Sequence, residues 1–233
     1  MKIKTSYLAG LVLSLAFIIP ASVLAADAKK NAAALPFSNA FGQSFEEWLQ
    51  DFWAWNYVGV GSQEHPNGVF FMPVPAAGPN QDWQGKNIGV GEMSLTVKPG
   101  DKLVLGILAW LGETYDPAYN IADDQPWPKS DFTPPNGEAV ITLDGVELIN
   151  ASNLADFYYG PAYFEEPLMY PTPSSYHSIG IIFVQGIGIV LQPLTPGKHT
   201  LTLYSWDRWE GLYGEGGQGW FNTWHITVAP PKK

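Results

Sequence analysis

The chain has 233 residues, a formal net charge of −10 and no cysteine. A surface this acidic is repelled by the phosphates of nucleic acids and by anionic lipids, so we expect no nucleic-acid partner. The lack of cysteine excludes thiol catalysis, cysteine-bound metal sites and disulfides. Only 15% of the residues are charged, whereas 10 Trp, 11 Tyr, 12 Phe, 24 Gly and 20 Pro are typical of short strands and turns around an aromatic core.

Residues 1–25 have the pattern of an export signal. Lys2 and Lys4 precede an apolar run at residues 8–19, and small residues lead up to Ala25. Because the run is too short for a spanning helix, we expect cleavage after Ala25 and no stable membrane insertion afterwards. The sequence therefore predicts a secreted or periplasmic protein whose mature chain has about 210 residues, a length that suits one large all-β domain.

The mature chain is expected to begin with a flexible tether, residues 26–43, followed by a single domain at residues 44–233. Ser44 has the character of a helix N-cap, and Glu47 completes a capping box three residues later. Apolar residues then recur at helical spacing at Phe45, Trp48, Leu49 and Phe52. This pattern predicts an amphipathic helix over residues 45–55.

The tryptophans of this helix allow two interpretations. Trp48, Trp53 and Trp55 form either an aromatic ligand surface or the face that packs the helix on a sheet. Packing on a sheet is the favoured interpretation, because the apolar face of an amphipathic helix has to be buried against another apolar surface.

The rest of the chain predicts strands. Alternating or continuous apolar segments occur at residues 69–74, 93–97, 103–111, 139–143, 146–149, 179–191, 201–204 and 220–228. The dipeptide Asp144-Gly145 predicts a tight hairpin between two of them. We therefore expect an all-β protein, a jelly-roll-like β-sandwich, with one N-terminal amphipathic helix packed on it.

Two connections between the predicted strands are long, residues 112–138 and 159–178, and long connections in compact domains often carry function. The first contains the carboxylates Glu113, Asp116, Asp123 and Asp124, which are hard oxygen ligands of the kind that calcium prefers. The alternative is a solvated acidic loop, since the EF-hand spacing is absent. A structural calcium site is the one cofactor that the sequence suggests.

The best candidate for ligand binding is the stretch Trp206, Asp207, Arg208, Trp209 and Glu210, together with Tyr213. Exposed aromatic rings beside hydrogen-bonding charges are typical of surfaces that bind sugars, and the glycines that follow allow close backbone approach. Gln218, Trp220 and Trp224 extend this group. The alternative is that the later tryptophans belong to the core and that a carboxylate merely pairs with Arg208.

The sequence does not identify catalytic residues. A nucleophile elbow and a zinc-type histidine pair are both absent, and the carboxylate pairs Glu46-Glu47 and Glu165-Glu166 are adjacent, so in extended segments they point apart. We expect a non-enzymatic binding protein for a carbohydrate or another neutral extracellular ligand. The alternatives are a glycan hydrolase or lyase that uses loop carboxylates and a structural or assembly protein of the cell surface.

Several motifs resemble those of a family of secreted bacterial all-β proteins of unknown function. They are the Trp-rich helix at residues 48–55, the aromatic strand at residues 68–72, the strand that enters the acidic loop at residues 103–113, and the turn at residues 192–200. The resemblance spans most of the mature chain. It implies a secreted, all-β protein and supplies neither an activity nor catalytic residues.

Overall fold

A computed structural model of the protein describes residues 39–78, 80–83, 85–211 and 214–230. The predicted export signal and residues 26–38 of the predicted tether lie outside this description. The last residues of that tether segment are folded, because β1 (Asn39–Ala40) pairs antiparallel with β2 (Gln43–Ser44). The flexibility of the predicted tether stays a prediction.

The predicted helix is confirmed as α1 (Phe45–Val58), which is three residues longer than the apolar spacing indicated. Its capping box is complete: Ser44 Oγ accepts a hydrogen bond from the Glu47 N–H at 3.1 Å, and Glu47 Oε2 accepts one from the Ser44 N–H at 2.7 Å. Gly59, with φ 69°, ends the helix in the left-handed conformation. Across the described ranges, no helix combines the length and apolarity that a membrane crossing needs.

The remaining strands follow in chain order. They are β3 (Glu64–His65), β4 (Val69–Phe71), β5 (Gln81–Trp83), β6 (Lys86–Val97), β7 (Lys102–Tyr115), β8 (Gly137–Leu143), β9 (Val146–Ile149), β10 (Tyr158–Met169), β11 (Ser178–Leu191), β12 (Gly197–Gly211) and β13 (Gly214–Val228). The hairpin predicted at Asp144-Gly145 is confirmed, because Leu143 and Val146 face each other across the turn between β8 and β9.

These strands form two larger sheets. The order is β10-β11-β7-β4-β3 in the five-stranded sheet and β5-β6-β13-β12-β8-β9 in the six-stranded sheet. The predicted all-β sandwich with one packed helix is confirmed. The pairs β4–β7 and β6–β13 are parallel, whereas a jelly roll consists of antiparallel Greek keys, so the jelly-roll connectivity is not confirmed.

Helix α1 packs on the five-stranded sheet, where it contacts β7, β10 and β11. Two glycines that pair side by side, Gly106 on β7 and Gly188 on β11, make room for it. A Cβ atom at Gly188 would lie 2.3 Å from Leu49 Cδ2, and one at Gly106 would lie 2.5 Å from the Trp53 ring. The five-stranded sheet is thus a middle layer, covered by the helix on one face and by the six-stranded sheet on the other.

The structure corrects one of the two long connections. Most of the predicted loop at residues 159–178 is strand β10, which pairs with β11 at the edge of its sheet. Pro161 and Pro167 made the segment resemble a loop, but an edge strand tolerates proline because one side needs no ladder hydrogen bonds. The other connection, between β7 and β8, is confirmed as long and contains two short 3₁₀ turns.

Candidate functional site

A cavity of about 500 Å³ lies where the two sheets meet the C-terminal end of α1. Residues 105–111 of β7 form one wall, and Ser205, Trp220 and Asn222 of the six-stranded sheet form the facing wall. Trp127, from the connection between β7 and β8, adds to the lining. The volume falls in the range of sites for small ligands.

The lining is aromatic and uncharged. None of the lining residues that the structure describes is Asp, Glu, Lys, Arg or His. The aromatic members are Trp53, Tyr57, Trp110, Trp127, Phe132, Trp220 and Trp224. A charged ligand would lose its hydration here without gaining a counter-charge, so the cavity favours a neutral ligand with an apolar body.

Two buried polar side chains of the six-stranded sheet line the cavity without a hydrogen-bond partner among the described residues. Ser205 is 0% exposed and Asn222 is 2% exposed, and neither Ser205 Oγ nor Asn222 Oδ1 has a partner within the described part of the chain. Each such orphan costs about 1–3 kcal/mol. Ser205 faces Trp220 across the β12–β13 ladder, so Asn222, two residues further on, is its diagonal neighbour.

The opposite wall contributes a donor. Trp110 Nε1 is buried and, among the described residues, has no acceptor. By contrast, the indole N–H of Trp224 donates to the Pro73 carbonyl oxygen at 2.8 Å. A ligand between the two sheets would therefore meet an unused donor on one side and unused acceptors on the other.

The rim of the cavity is fixed by a stack of two indoles. The ring centroids of Trp110 and Trp127 lie 4.2 Å apart with an interplanar angle of 14°. Gln185, which is 0% exposed, donates from Nε2 to the Trp127 carbonyl oxygen at 2.9 Å. These contacts hold the connection between β7 and β8 against the sandwich, with Trp127 still 39% exposed.

Three of the four carboxylates predicted to bind calcium accept hydrogen bonds from the end of β7 or from their own loop. Asp124 accepts from the Glu113 N–H at 3.0 Å and from the Tyr115 hydroxyl at 3.1 Å. Asp123 accepts from the Thr114 hydroxyl at 2.8 Å, and Asp116 accepts from the Ala118 N–H at 2.9 Å. Burial, followed by the charge of Asp124, raises the pKa of Tyr115 to about 12.

Glu113 points away from that group and accepts a hydrogen bond from the Tyr170 hydroxyl of the segment after β10. Of the residues that the structure describes, no three His, Asp or Glu form a group able to hold a metal ion. The calcium site at Glu113, Asp116, Asp123 and Asp124 stays a prediction.

The predicted ligand stretch at residues 206–213 lies next to the cavity but not in its lining. Because Ser205 points into the cavity, Trp206 points to the outer face of β12. There, Lys86 Nζ lies 5.1 Å from the centre of the Trp206 ring and 2.8 Å from Glu138 Oε2. One face of the Trp206 ring is therefore engaged in a cation–π contact with Lys86.

The other members of the predicted ligand stretch lie beyond what the structure describes. The backbones of Asp207, Arg208, Trp209 and Glu210 continue the pairing of β12 with β13, but their side chains and the whole of Tyr213 are outside the described residues. A ligand surface at these residues stays a prediction. The structure does separate Trp206 from Trp220, which lies on the cavity side.

The structure thus brings together residues that the sequence did not connect. Trp110, Ser205 and Asn222 were missed, and so was Trp127, which lies within the predicted long connection at residues 112–138. A comparison of the chain with known protein families and with curated protein sequences finds no match. The function therefore has to be inferred from the cavity.

Proposed function

We propose that the protein is a non-enzymatic binding protein for a neutral ligand and that the ligand occupies the cavity between the two sheets. One observation carries this proposal: Ser205 Oγ and Asn222 Oδ1 are buried in the cavity wall without partners in the described residues. Buried polar groups in native proteins are nearly always hydrogen-bonded. A ligand that supplies the missing hydrogen bonds explains why the fold keeps them.

The cavity supports binding better than catalysis. Acid–base catalysis needs groups that exchange protons, such as carboxylates or histidine, and the described lining has neither. The carboxylates of the neighbouring loop accept hydrogen bonds from the end of β7 and from the loop itself. The hydrolase or lyase alternative therefore lacks support from the geometry of the cavity.

A carbohydrate is one class of neutral ligand that stacks on indole rings, and the outer surface at Trp206 is the competing place for it. The cavity is lined by several indole rings and by the polar groups that lack partners in the described residues, whereas the Trp206 ring already contacts Lys86. We infer that the cavity is the primary site.

Two substitutions distinguish the cavity from the outer surface. Asn222→Leu keeps the side-chain size and removes the acceptor in the cavity, whereas Trp206→Ala removes the outer ring. Titrations of indole and of cellobiose, followed by calorimetry, should show binding that Asn222→Leu weakens about tenfold, as expected for one lost hydrogen bond. Trp206→Ala should leave that binding unchanged.

The opposite pattern, with binding lost in Trp206→Ala and kept in Asn222→Leu, would move the site to the outer face of β12. If a wider panel of uncharged compounds neither binds nor raises the melting temperature, the proposal is wrong.

A further inference from the structure

Within the described residues, the edge of β7 that faces the cavity has no neighbouring strand for most of its length. Strand β4 pairs with β7 only from Lys102 to Val104. The Met72 N–H donates to the Val104 carbonyl oxygen at 2.9 Å. Beyond this hydrogen bond the chain leaves β7 and crosses to the six-stranded sheet, where the Gly78 N–H bonds to the Val90 carbonyl oxygen at 2.9 Å.

The same edge is covered again at its far end. Glu113 donates its N–H to Asp124 Oδ2 at 3.0 Å and accepts at its carbonyl oxygen from the Asp124 N–H at 3.0 Å. Between Val104 and Glu113, the described residues provide no backbone partner on this side of β7. This open stretch is therefore flanked at both ends by hydrogen bonds and has no backbone partner in between among the residues that the structure describes.

The direction of the open backbone groups follows from the alternation of a strand. Alternate residues direct their N–H and C=O groups to the same side. Since Glu113 bonds on the open side, Leu111 and Ala109 direct their groups there too. At the other end of the stretch, Val104 bonds on the open side, so the backbone groups of Gly106, two residues further on, face that side as well. The register irregularity of β7 lies after Gly106, between Gly106 and Leu108, and does not affect this assignment. Gly106, Ala109 and Leu111 all line the cavity.

We propose that the ligand of the cavity is an extended, uncharged peptide segment that adds to β7 as an extra strand. This inference rests on the proposed function, since it names the ligand class for the same site. A peptide carries donors and acceptors at the spacing that a strand edge presents, which a sugar or a simple ring compound does not. The uncharged lining selects a segment without charged side chains.

The dimensions agree with a short segment. The open stretch from Gly106 to Leu111 spans roughly 17 Å at about 3.3 Å per residue, which corresponds to four or five peptide residues. Because the side chains of a strand alternate between its two faces, one set would lie on the α1 side beside Trp53, and the other would lie on the side of the six-stranded sheet with Trp110. The second set would point toward Ser205 and Asn222, within reach of a hydroxyl or amide side chain.

The first test compares blocked peptides that differ only in their backbone donors. The probe is the tetrapeptide acetyl-valyl-seryl-valyl-serine amide, and the controls are its two isomers N-methylated at alternate nitrogens. Strand addition uses one edge of the peptide, so calorimetry should show about tenfold weaker binding, or more, for one isomer. The other isomer should bind like the parent peptide.

The second test locates the contact by amide hydrogen exchange measured by NMR. Saturation with the tetrapeptide should slow exchange at the Ala109 and Leu111 amides about tenfold or more. Trp110, whose N–H faces β11, serves as the internal control and should not change.

The outcomes separate the two proposals. If indole binds in the cavity while no peptide binds, or if both methylated isomers bind like the parent, the peptide inference is overturned and the cavity remains a site for ring compounds. If neither indole nor peptide binds, the proposed function itself fails. Peptide binding that appears only after deletion of residues 26–38 would assign the open edge to the chain's own N-terminal segment, and it too would overturn the inference.

Discussion

Two serines in the core have the same burial and opposite hydrogen-bonding states. Ser178 and Ser205 are both 0% exposed. The Ser178 hydroxyl lies 2.6 Å from Ser174 Oγ, whereas Ser205 Oγ has no partner in the described residues. Comparing the two serines measures how much an unpaired hydroxyl in the binding cavity lowers the free energy of unfolding of the ligand-free protein.

We predict that Ser205→Ala stabilises the ligand-free protein by about 1 kcal/mol, because it removes a buried group that lacks a hydrogen bond. For a chain of this size the melting temperature should rise by about 2–4 °C. Thermal and urea unfolding measure the effect. Ser178→Ala is the matched control and should destabilise by about 1 kcal/mol. Equal destabilisation in both variants would show that the Ser205 hydroxyl is already paired.

The sequence contains one sign of the cavity, a polar residue on the inward face of each of two strands. Ser205 continues the inward face of Leu201 and Leu203, and Asn222 lies between Trp220 and Trp224 on the inward face of its own strand. A polar residue on an otherwise apolar face marks either a buried hydrogen bond or a binding site. The sequence could not choose between them, because the choice depends on which atoms the facing sheet supplies.

At the scale of elements, the contact between α1 and its sheet depends on two glycines. A methyl group at Gly188 would overlap Leu49, which is 0% exposed. We expect Gly188→Ala to cost about 1–3 kcal/mol through overpacking, and Leu49→Ala to cost about 2–5 kcal/mol through the cavity that it leaves. The double variant should lose clearly less than the sum of the two, because each change relieves the other.

Urea unfolding of the four proteins in this cycle gives the coupling energy directly. Additive losses would mean that the helix shifts to accommodate the new methyl group. Gly197→Ala is an unsuitable control, because Gly197 has φ 138° and a side chain there would be strained for a different reason.

Elements with local signals were predictable, and those defined by partners were not. The helix start followed from Ser44 and Glu47, and the β8–β9 hairpin followed from Asp144-Gly145, because caps and tight turns are determined by nearby residues. Strand β10 was missed because Pro161 and Pro167 resemble loop punctuation. Their acceptance depends on β10 lying at an edge, which only the assembled sheet reveals.

At the scale of the whole molecule, the cavity is assembled from distant parts of the chain. Trp53 comes from the helix, Ala109 from the middle of one sheet, Trp127 from a long connection and Asn222 from the last strand. The fold class followed from composition and alternation, since these depend only on local pattern. The site depends on how two sheets face each other, which local patterns in the sequence do not specify.

The predicted export signal leads to a test on the whole protein. Expressed with its own N-terminus in a bacterium, the protein should be recovered outside the cytoplasm with Ala26 as its first residue, because signal peptidases cut after a small residue. N-terminal sequencing identifies this residue. Ala25→Tyr should leave the precursor uncut, while Ala33→Tyr, downstream of the predicted cleavage site, should be processed normally. Recovery of the uncut wild-type chain inside the cell would contradict export.

The position of the vacant stretch of β7 also bears on self-association. Unpaired strand edges on protein surfaces recruit further copies and start the stacking that leads to amyloid. Here the unpaired groups lie in a recess faced by the six-stranded sheet, and a second folded sheet, about 10 Å thick when packed, is too bulky to enter it. The recess can admit a single extended chain but not a folded sheet. The protein can therefore keep an unpaired strand edge without promoting fibril formation.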